Sequence, residues 1–178
     1  MTLSQRTTYT PHTPPAGFRF RSTSAADGAA LWRLVQASGT LELNSAYFYL
    51  LLATDFGRTC LVAENDTGVV GAVIGYHPPE QAHTAFVWQV AVHPDCRGQG
   101  LGPVLLHQWL DLPANRTCTW VTATVEDNNA PSQALFRRFA RERGAPLQTQ
   151  PLFTPDLFPQ DHPAEPLLRI GPIERLPP

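Results

Sequence analysis

The chain has 178 residues, 43% of them hydrophobic and 16% charged, with a formal net charge of -2. That length fits one domain with a real core, and the apolar content excludes a disordered chain. The near-neutral charge, without a run of like charges, points away from nucleic acid or an anionic membrane as partner. No stretch approaches the roughly 20 apolar residues of a membrane span.

All 13 basic residues are arginine. A Schiff-base lysine and the lysine of a P-loop are therefore excluded. Cys60, Cys96 and Cys118 are odd in number and contain no C-x-x-C pair, so free thiols in a reducing cytoplasm are expected, and no metal site. The first residues, MTLSQRTTYTPHTPPAGF, lack the apolar core of a signal peptide.

In chain order, residues 1–17 are polar and proline-bearing and read as a loose tail before a single domain over 18–178. Phe18 to Arg21 alternates like a short strand. Ser24 and Asp27 resemble a helix start, and Leu31, Leu34 and Val35 follow at helical spacing. Asn44 or Ser45 caps a second predicted helix, Ala46 to Phe56. Thr59 to Glu64 and Val69 to Tyr76 read as a hairpin around Asn65-Asp66-Thr67-Gly68. After a proline-bearing loop, Thr84 to Val92 reads as a strand and Leu101 to Asp111 as a helix. Thr117 to Val125 is the next strand and Ala130 to Arg143 an arginine-rich helix. Beyond Leu147 prolines are frequent, with candidate strands near Leu152 and over Leu167 to Ile170. The order is mixed α/β.

Between the strand ending at Val92 and the next helix lies HPDCRGQGLG. Glycines alternate there at Gly98, Gly100 and Gly102, which costs conformational entropy in any regular element. A dinucleotide fingerprint needs a third glycine where Pro103 stands. What remains is a strand, a short loop and Arg97-x-x-Gly100-x-Gly102 entering an apolar helix. Helix N-termini present unpaired N–H groups and hold phosphate oxygens, and Arg97 adds a charge at the rim. The plainer alternative is a tight glycine turn that binds nothing.

Val90-Ala91-Val92-His93-Pro94 followed by Arg97-Gly98-Gln99-Gly100-Leu101-Gly102 resembles the acetyl-CoA signature Q/R-x-x-G-x-G/A of the GNAT N-acetyltransferases. Asn129, Ser132, Leu135 and Phe136 resemble the superfamily's later N-x-x-A-x-x-L-Y. The stretches LELNSAYFYLLLATDFGRTCLVAE, FVWQVAVHP and TVEDNNAPSQALFRRFA are similar to the diaminobutyrate acetyltransferases of ectoine biosynthesis. So is the closing pattern of Phe158-Pro159, His162, Glu165 and Arg169-Ile170. The resemblance implies the GNAT fold: an α/β architecture with a mixed, mostly antiparallel sheet, two splayed parallel strands and flanking helices. It also implies acetyl-CoA as co-substrate, L-2,4-diaminobutyrate as acceptor, and a homodimer.

By the same resemblance, the backbone of Val90, Ala91 and Val92 pairs with the pantetheine arm like an added strand, and one N–H there polarises the thioester. The pyrophosphate lies on Arg97, Gly98, Gly100 and Gly102. Asn129 reaches the arm, although it also suits a plain helix cap. Phe136 stands where many relatives carry a tyrosine acid, and it packs either near the sulfur or in the core. A thiol pKa near ~8.5 lets thiolate leave unaided for about 2 kcal/mol. The acceptor pocket is assigned to Glu42, Asn44, Tyr47, Trp88 and His162. An alkylamine with a pKa near ~10 is only about one part in a thousand nucleophilic at pH 7, roughly a 4 kcal/mol penalty. FVWQVAV contains no acid, so Glu126, His162, Tyr47 and a water chain to solvent all stand as candidate routes for the proton. Two other readings stay open: an acetyltransferase for another amine or polyamine, and a non-catalytic acyl-CoA binding module.

Overall fold

The computed structural model describes residues 14–174. Most of the predicted tail, residues 1–13, therefore lies outside the described residues. A seven-stranded sheet of order β1-β2-β3-β4-β5-β7-β6 organises the chain. Its strands are β1 (Arg19–Ser22), β2 (Leu61–Asn65), β3 (Gly68–Tyr76), β4 (Thr84–Val92), β5 (Trp120–Thr124), β6 (Leu147–Phe153) and β7 (Glu165–Ile170). Only β4 and β5 run parallel; every other neighbouring pair is antiparallel. The helices are α1 (Gly28–Ser38), α2 (Ala46–Asp55), α3 (Leu101–Leu110) and α4 (Ala130–Glu142).

Strand alternation sends side chains to opposite faces, and each face meets its own helices. Val62, Ala72, Ile74 and Ala91 pack with Leu31, Leu34, Val35 and Tyr49 beneath α1 and α2. Val73, Val87, Val121, Leu168 and Ile170 pack with Leu105, Leu106, Trp109 and Phe139 beneath α3 and α4. The hairpin turn forms as expected: Asn65 Oδ1 accepts from the Thr67 N–H at 2.9 Å, and Gly68 takes a positive φ of 117°. A turn at Ala25–Asp27 precedes α1, where Asp27 accepts from the Ser24 N–H at 2.8 Å and pairs with both terminal nitrogens of Arg21 at 2.7 and 2.8 Å. That pairing holds the Asp27 carboxyl below the usual range.

Several boundaries shift by a residue or two, such as the strand expected over Thr59 to Glu64, which runs Leu61–Asn65, and two differ by more. The fifth strand begins at Trp120 rather than Thr117, because Cys118 N–H closes a turn onto Asn115 O at 3.0 Å. The strand sought near Leu152 starts at Leu147: its polar residues Gln148, Thr149 and Gln150 sit on an exposed edge, where Pro151 coincides with a break in register. All three cysteines are buried, and burial pushes the Cys60 thiol up to about 11. No helix among the described residues is long and apolar enough to cross a membrane.

Candidate active site

Strand β4 pairs with β5 only from Thr84 opposite Trp120 to Val87 opposite Ala123. On its other edge, Gly75 of β3 opposes Val87 while Ile74 opposes Gln89. Trp88 is therefore the extra residue of a β-bulge, which bends and twists the strand. Beyond it, Val90, Ala91 and Val92 keep their β3 partners Val73, Ala72 and Gly71, while pairing with β5 has ended. The N–H and C=O groups on that second edge face the split between the two parallel strands.

The loop leaving β4 closes a turn over Pro94–Cys96, with His93 Nδ1 accepting from the Asp95 N–H. Gly98 and Gly100 both take φ +74°, and Gly100 caps the N-terminus of α3. A Cβ added at either would meet nothing within 4 Å. Protein packing does not demand these glycines; the left-handed backbone favours them. They line a concavity of about 380 Å³, shared with Val92, Arg97, Gly102 and Arg138. Arg97 donates through Nη2 to Ser38 O at 2.6 Å, so it ties the end of α1 to the glycine loop. Asn129 caps α4, its Oδ1 accepting from the Ser132 N–H at 3.1 Å. Phe136 is only 4% exposed and belongs to the core beneath α3 and α4. Gly100→Asn is a clean test of the cradle, since asparagine tolerates the left-handed region and its Cβ meets open space. It is expected to stay folded by circular dichroism while acetyl-CoA affinity in calorimetry falls at least about tenfold, or ~1.4 kcal/mol.

The residues expected on the acceptor side come from the loop between α1 and α2, from β4 and from beyond the end of β5. The loop between α1 and α2 rests on two buried polar side chains. Gln89 donates to Glu42 O at 2.9 Å, and the Tyr49 hydroxyl lies 3.3 Å from Gln89 Oε1 and 3.4 Å from the Asn44 N–H. Asn44 Nδ2 is buried with no partner among the described residues. Half-buried Trp88 meets Phe48 edge-on at 4.5 Å between ring centroids. Tyr47 points outward, 70% exposed.

Glu126, His162 and Glu165 converge, each offering an atom within 4.8 Å of the others. His162 is stacked on Phe158 at 4.0 Å, and its Nδ1 lies 2.7 Å from Pro163 O. A carbonyl only accepts, so Nδ1 carries the hydrogen, and in the neutral ring the lone pair sits on Nε2. Burial raises the Glu165 carboxyl above its usual range; a Thr124 hydrogen bond lowers it, Glu126 raises it, His162 lowers it and Glu42 raises it. Glu42 thus belongs to the same electrostatic neighbourhood. Two of the four groups, Glu42 and His162, are assigned to the acceptor pocket by sequence, and Glu126 is a candidate base. Glu165 has no assigned role there; its only signal is its place three residues after His162 in the closing pattern.

A carboxyl raised by folding stabilises the protein fully below its unfolded pKa, and that contribution is lost as pH rises through the folded value. Ionised Glu165 therefore opposes folding near neutrality. Glu165→Gln is expected to raise the melting temperature at pH 7 but not at pH 4, while raising KM for the amine substrate about tenfold or more, as for a lost charge-assisted bond. Unchanged stability and kinetics would remove Glu165 from the site.

A profile of the Acetyltransferase (GNAT) family matches residues 29–140. The L-2,4-diaminobutyric acid acetyltransferase of Nocardia farcinica is 46% identical over 153 residues, 86% of this chain and 79% of that protein. The chain belongs to the diaminobutyrate acetyltransferase family of GNAT enzymes. The Marinococcus halophilus enzyme of the same name is 40% identical, over 88% of this chain and 91% of its own. The diaminobutyrate acetyltransferase of Paenibacillus lautus, solved with L-2,4-diaminobutyric acid and coenzyme A, superposes with a TM-score of 0.83 at 33% identity, covering 90% of this chain and 98% of that one. The α/β GNAT fold expected from the sequence is the one found, with a mixed sheet split between its two parallel strands.

Proposed function

We propose that this chain moves the acetyl group of acetyl-CoA to the γ-amine of L-2,4-diaminobutyrate, giving Nγ-acetyl-diaminobutyrate. The observation that carries the reading is the convergence of Glu126, Glu165 and His162 beside the β4–β5 split, with Glu42 within electrostatic reach of Glu165. A diamino acid brings two ammonium groups, and three carboxylates match them. In this reading Glu42 holds the α-ammonium and the Glu126–His162–Glu165 cluster holds the γ-amine. The indole of Trp88 walls the pocket, where a cation–π contact contributes ~0.5–2 kcal/mol. Asn44 contributes its unpartnered amide donor to the carboxylate end.

The cofactor enters along the split. Its amide arm pairs with the free edge of Val90 to Val92, and its pyrophosphate lies on Gly98 to Gly102 at the N-terminus of α3. A backbone N–H of the Val90 to Val92 edge donates to the negative charge that grows on the thioester oxygen. The γ-ammonium must lose a proton before its lone pair attacks the carbonyl carbon. His162 Nε2 takes that proton, and Glu126 and Glu165 stabilise the imidazolium. The C–N bond forms, the C–S bond breaks, coenzyme A leaves as thiolate, and the nitrogen's second proton passes to that thiolate as the neutral amide forms. Phe136, buried in the core, takes no part in proton transfer.

Release of free thiol from acetyl-CoA, measured over diaminobutyrate, other diamino acids and polyamines, tests the assignment. Preferential turnover of diaminobutyrate supports it; preference for a polyamine reassigns the acceptor, and no turnover at all leaves only acyl-CoA binding. The reading extends to one acetyltransferase domain over 18–178 acting in the cytoplasm as a homodimer. Exposed Leu43, Tyr47, Leu50 and Leu51 around α2, with Leu152, Phe153 and Leu157 at the far edge, give a second copy apolar surface to cover. Sedimentation at twice the 19.6 kDa chain mass is expected; sedimentation as a monomer at micromolar concentration would remove the dimer.

A further inference from the structure

Helix α4 carries a stripe that the acetyl-transfer chemistry leaves unused. Leu135, Arg138 and Glu142 are spaced i, i+3, i+7 and share one face. Leu135 Cδ1 lies 3.6 Å from where a Cβ at Gly102 would stand, and Glu142 Oε2 lies 2.8 Å from His107 Nε2. The stripe therefore follows α3 from its first turn toward its middle, with Arg138 between the two contacts. Arg138 is the α4 residue that lines the same concavity as Gly98, Gly100 and Gly102.

Its guanidinium is held in an unusual way. Nε donates to Glu142 Oε1 at 2.7 Å, while the two terminal nitrogens make no hydrogen bond among the described residues. Glu142 is itself held by His107, which is fully buried. The side chain is thus anchored at Nε, with its fork left open and 47% exposed. A planar two-nitrogen fork fits phosphate oxygens. On the opposite rim, Arg97 already spends a terminal nitrogen on Ser38 O. The nucleotide end of acetyl-CoA brings a pyrophosphate and a 3′-phosphate, more anionic charge than one helix N-terminus and one committed arginine offset.

We propose that Arg138 is a phosphate ligand of the acyl-CoA co-substrate, aimed by the Glu142–His107 pair and closing the α4 side of the glycine cradle. The inference rests on the acetyl-CoA reading above. Calorimetry with coenzyme A and with 3′-dephospho-coenzyme A, on wild type, Arg138→Gln and Arg137→Gln, tests it together with thiol release from S-acetylpantetheine, which has no phosphate. Arg137 is bonded to Gln133 at 3.1 Å and serves as the neighbouring-charge control.

Arg138→Gln is expected to weaken coenzyme A about tenfold or more, as for a lost charge-assisted contact. Turnover of S-acetylpantetheine and the far-UV circular dichroism should stay at wild-type values. Arg137→Gln should bind like wild type. An equal loss toward 3′-dephospho-coenzyme A places Arg138 on the pyrophosphate; a loss confined to coenzyme A places it on the 3′-phosphate. Coenzyme A affinity within twofold of wild type overturns the inference, and so does an equal loss toward S-acetylpantetheine. Failure of the wild-type protein to bind coenzyme A would instead strike the acetyltransferase reading itself.

Discussion

Replacing His162 by glutamine is expected to lower kcat by about a hundredfold or more, the usual contribution of a positioned general base. The effect should fall on kcat rather than on acetyl-CoA affinity, because the proposed mechanism puts His162 on the acceptor side of the split. Its Nδ1 is committed to Pro163 O, so the lone pair at Nε2 is available in the neutral ring. Glutamine keeps a polar group there but cannot take up a proton. His162 sits in a half-buried loop outside the main core, so folding should be unaffected. If kcat stays within about threefold of wild type, well short of the usual hundredfold, the proton goes elsewhere. Glu126 is then the next group to replace, since it shares the cluster.

Local chemistry was legible in the sequence wherever one short segment holds all of its causes. The loop from Val90 to Gly102 is such a segment: a strand, a turn and a helix start, with glycines where φ is +74° at Gly98 and Gly100. The Asn65–Gly68 turn is another, set by one side-chain oxygen and one glycine. Glu165 escaped assignment because its meaning depends on burial beside Glu126 and Thr124, which lie on other segments. The placing of β7 between β5 and β6 escaped for the same reason, since pairing order is a tertiary choice. Arg97 and Arg138 differ in a way that no spacing reveals. One is tied to the end of α1 and the other is anchored only at Nε. The bulge at Trp88 is written partly on the neighbouring strand, at Gly75.

Gly75→Ala is expected to destabilise the protein by about 3 kcal/mol or more, at the upper end of what overpacking a core costs. A Cβ there would stand 2.5 Å from Phe86 O and 2.8 Å from Trp109 Cζ2. Neither neighbour yields easily. Phe86 O is backbone of β4, and fully buried Trp109 is pinned by its Nε1 bond to Thr59 O at 2.6 Å. At roughly 2–4 °C per kcal/mol for a chain of this size, the melting temperature should fall by about 6–12 °C. Gly71→Ala, on the same strand, is the comparison: its Cβ meets only the flexible end of Leu105 at 3.1 Å and Ala63 Cβ at 3.3 Å, so its loss should be smaller. The site should register the change as well. Gly75 opposes Val87 where the β3–β4 register shifts, so relief of the clash must move β4 at the bulge. Trp88 and the edge of Val90 to Val92 would move with it, and KM for acetyl-CoA should rise in whatever protein remains folded. A Gly75→Ala variant that matches wild type in melting temperature and in acetyl-CoA kinetics would show that the bulge does not depend on this glycine, and that the split between β4 and β5 is held open from the α3 side alone.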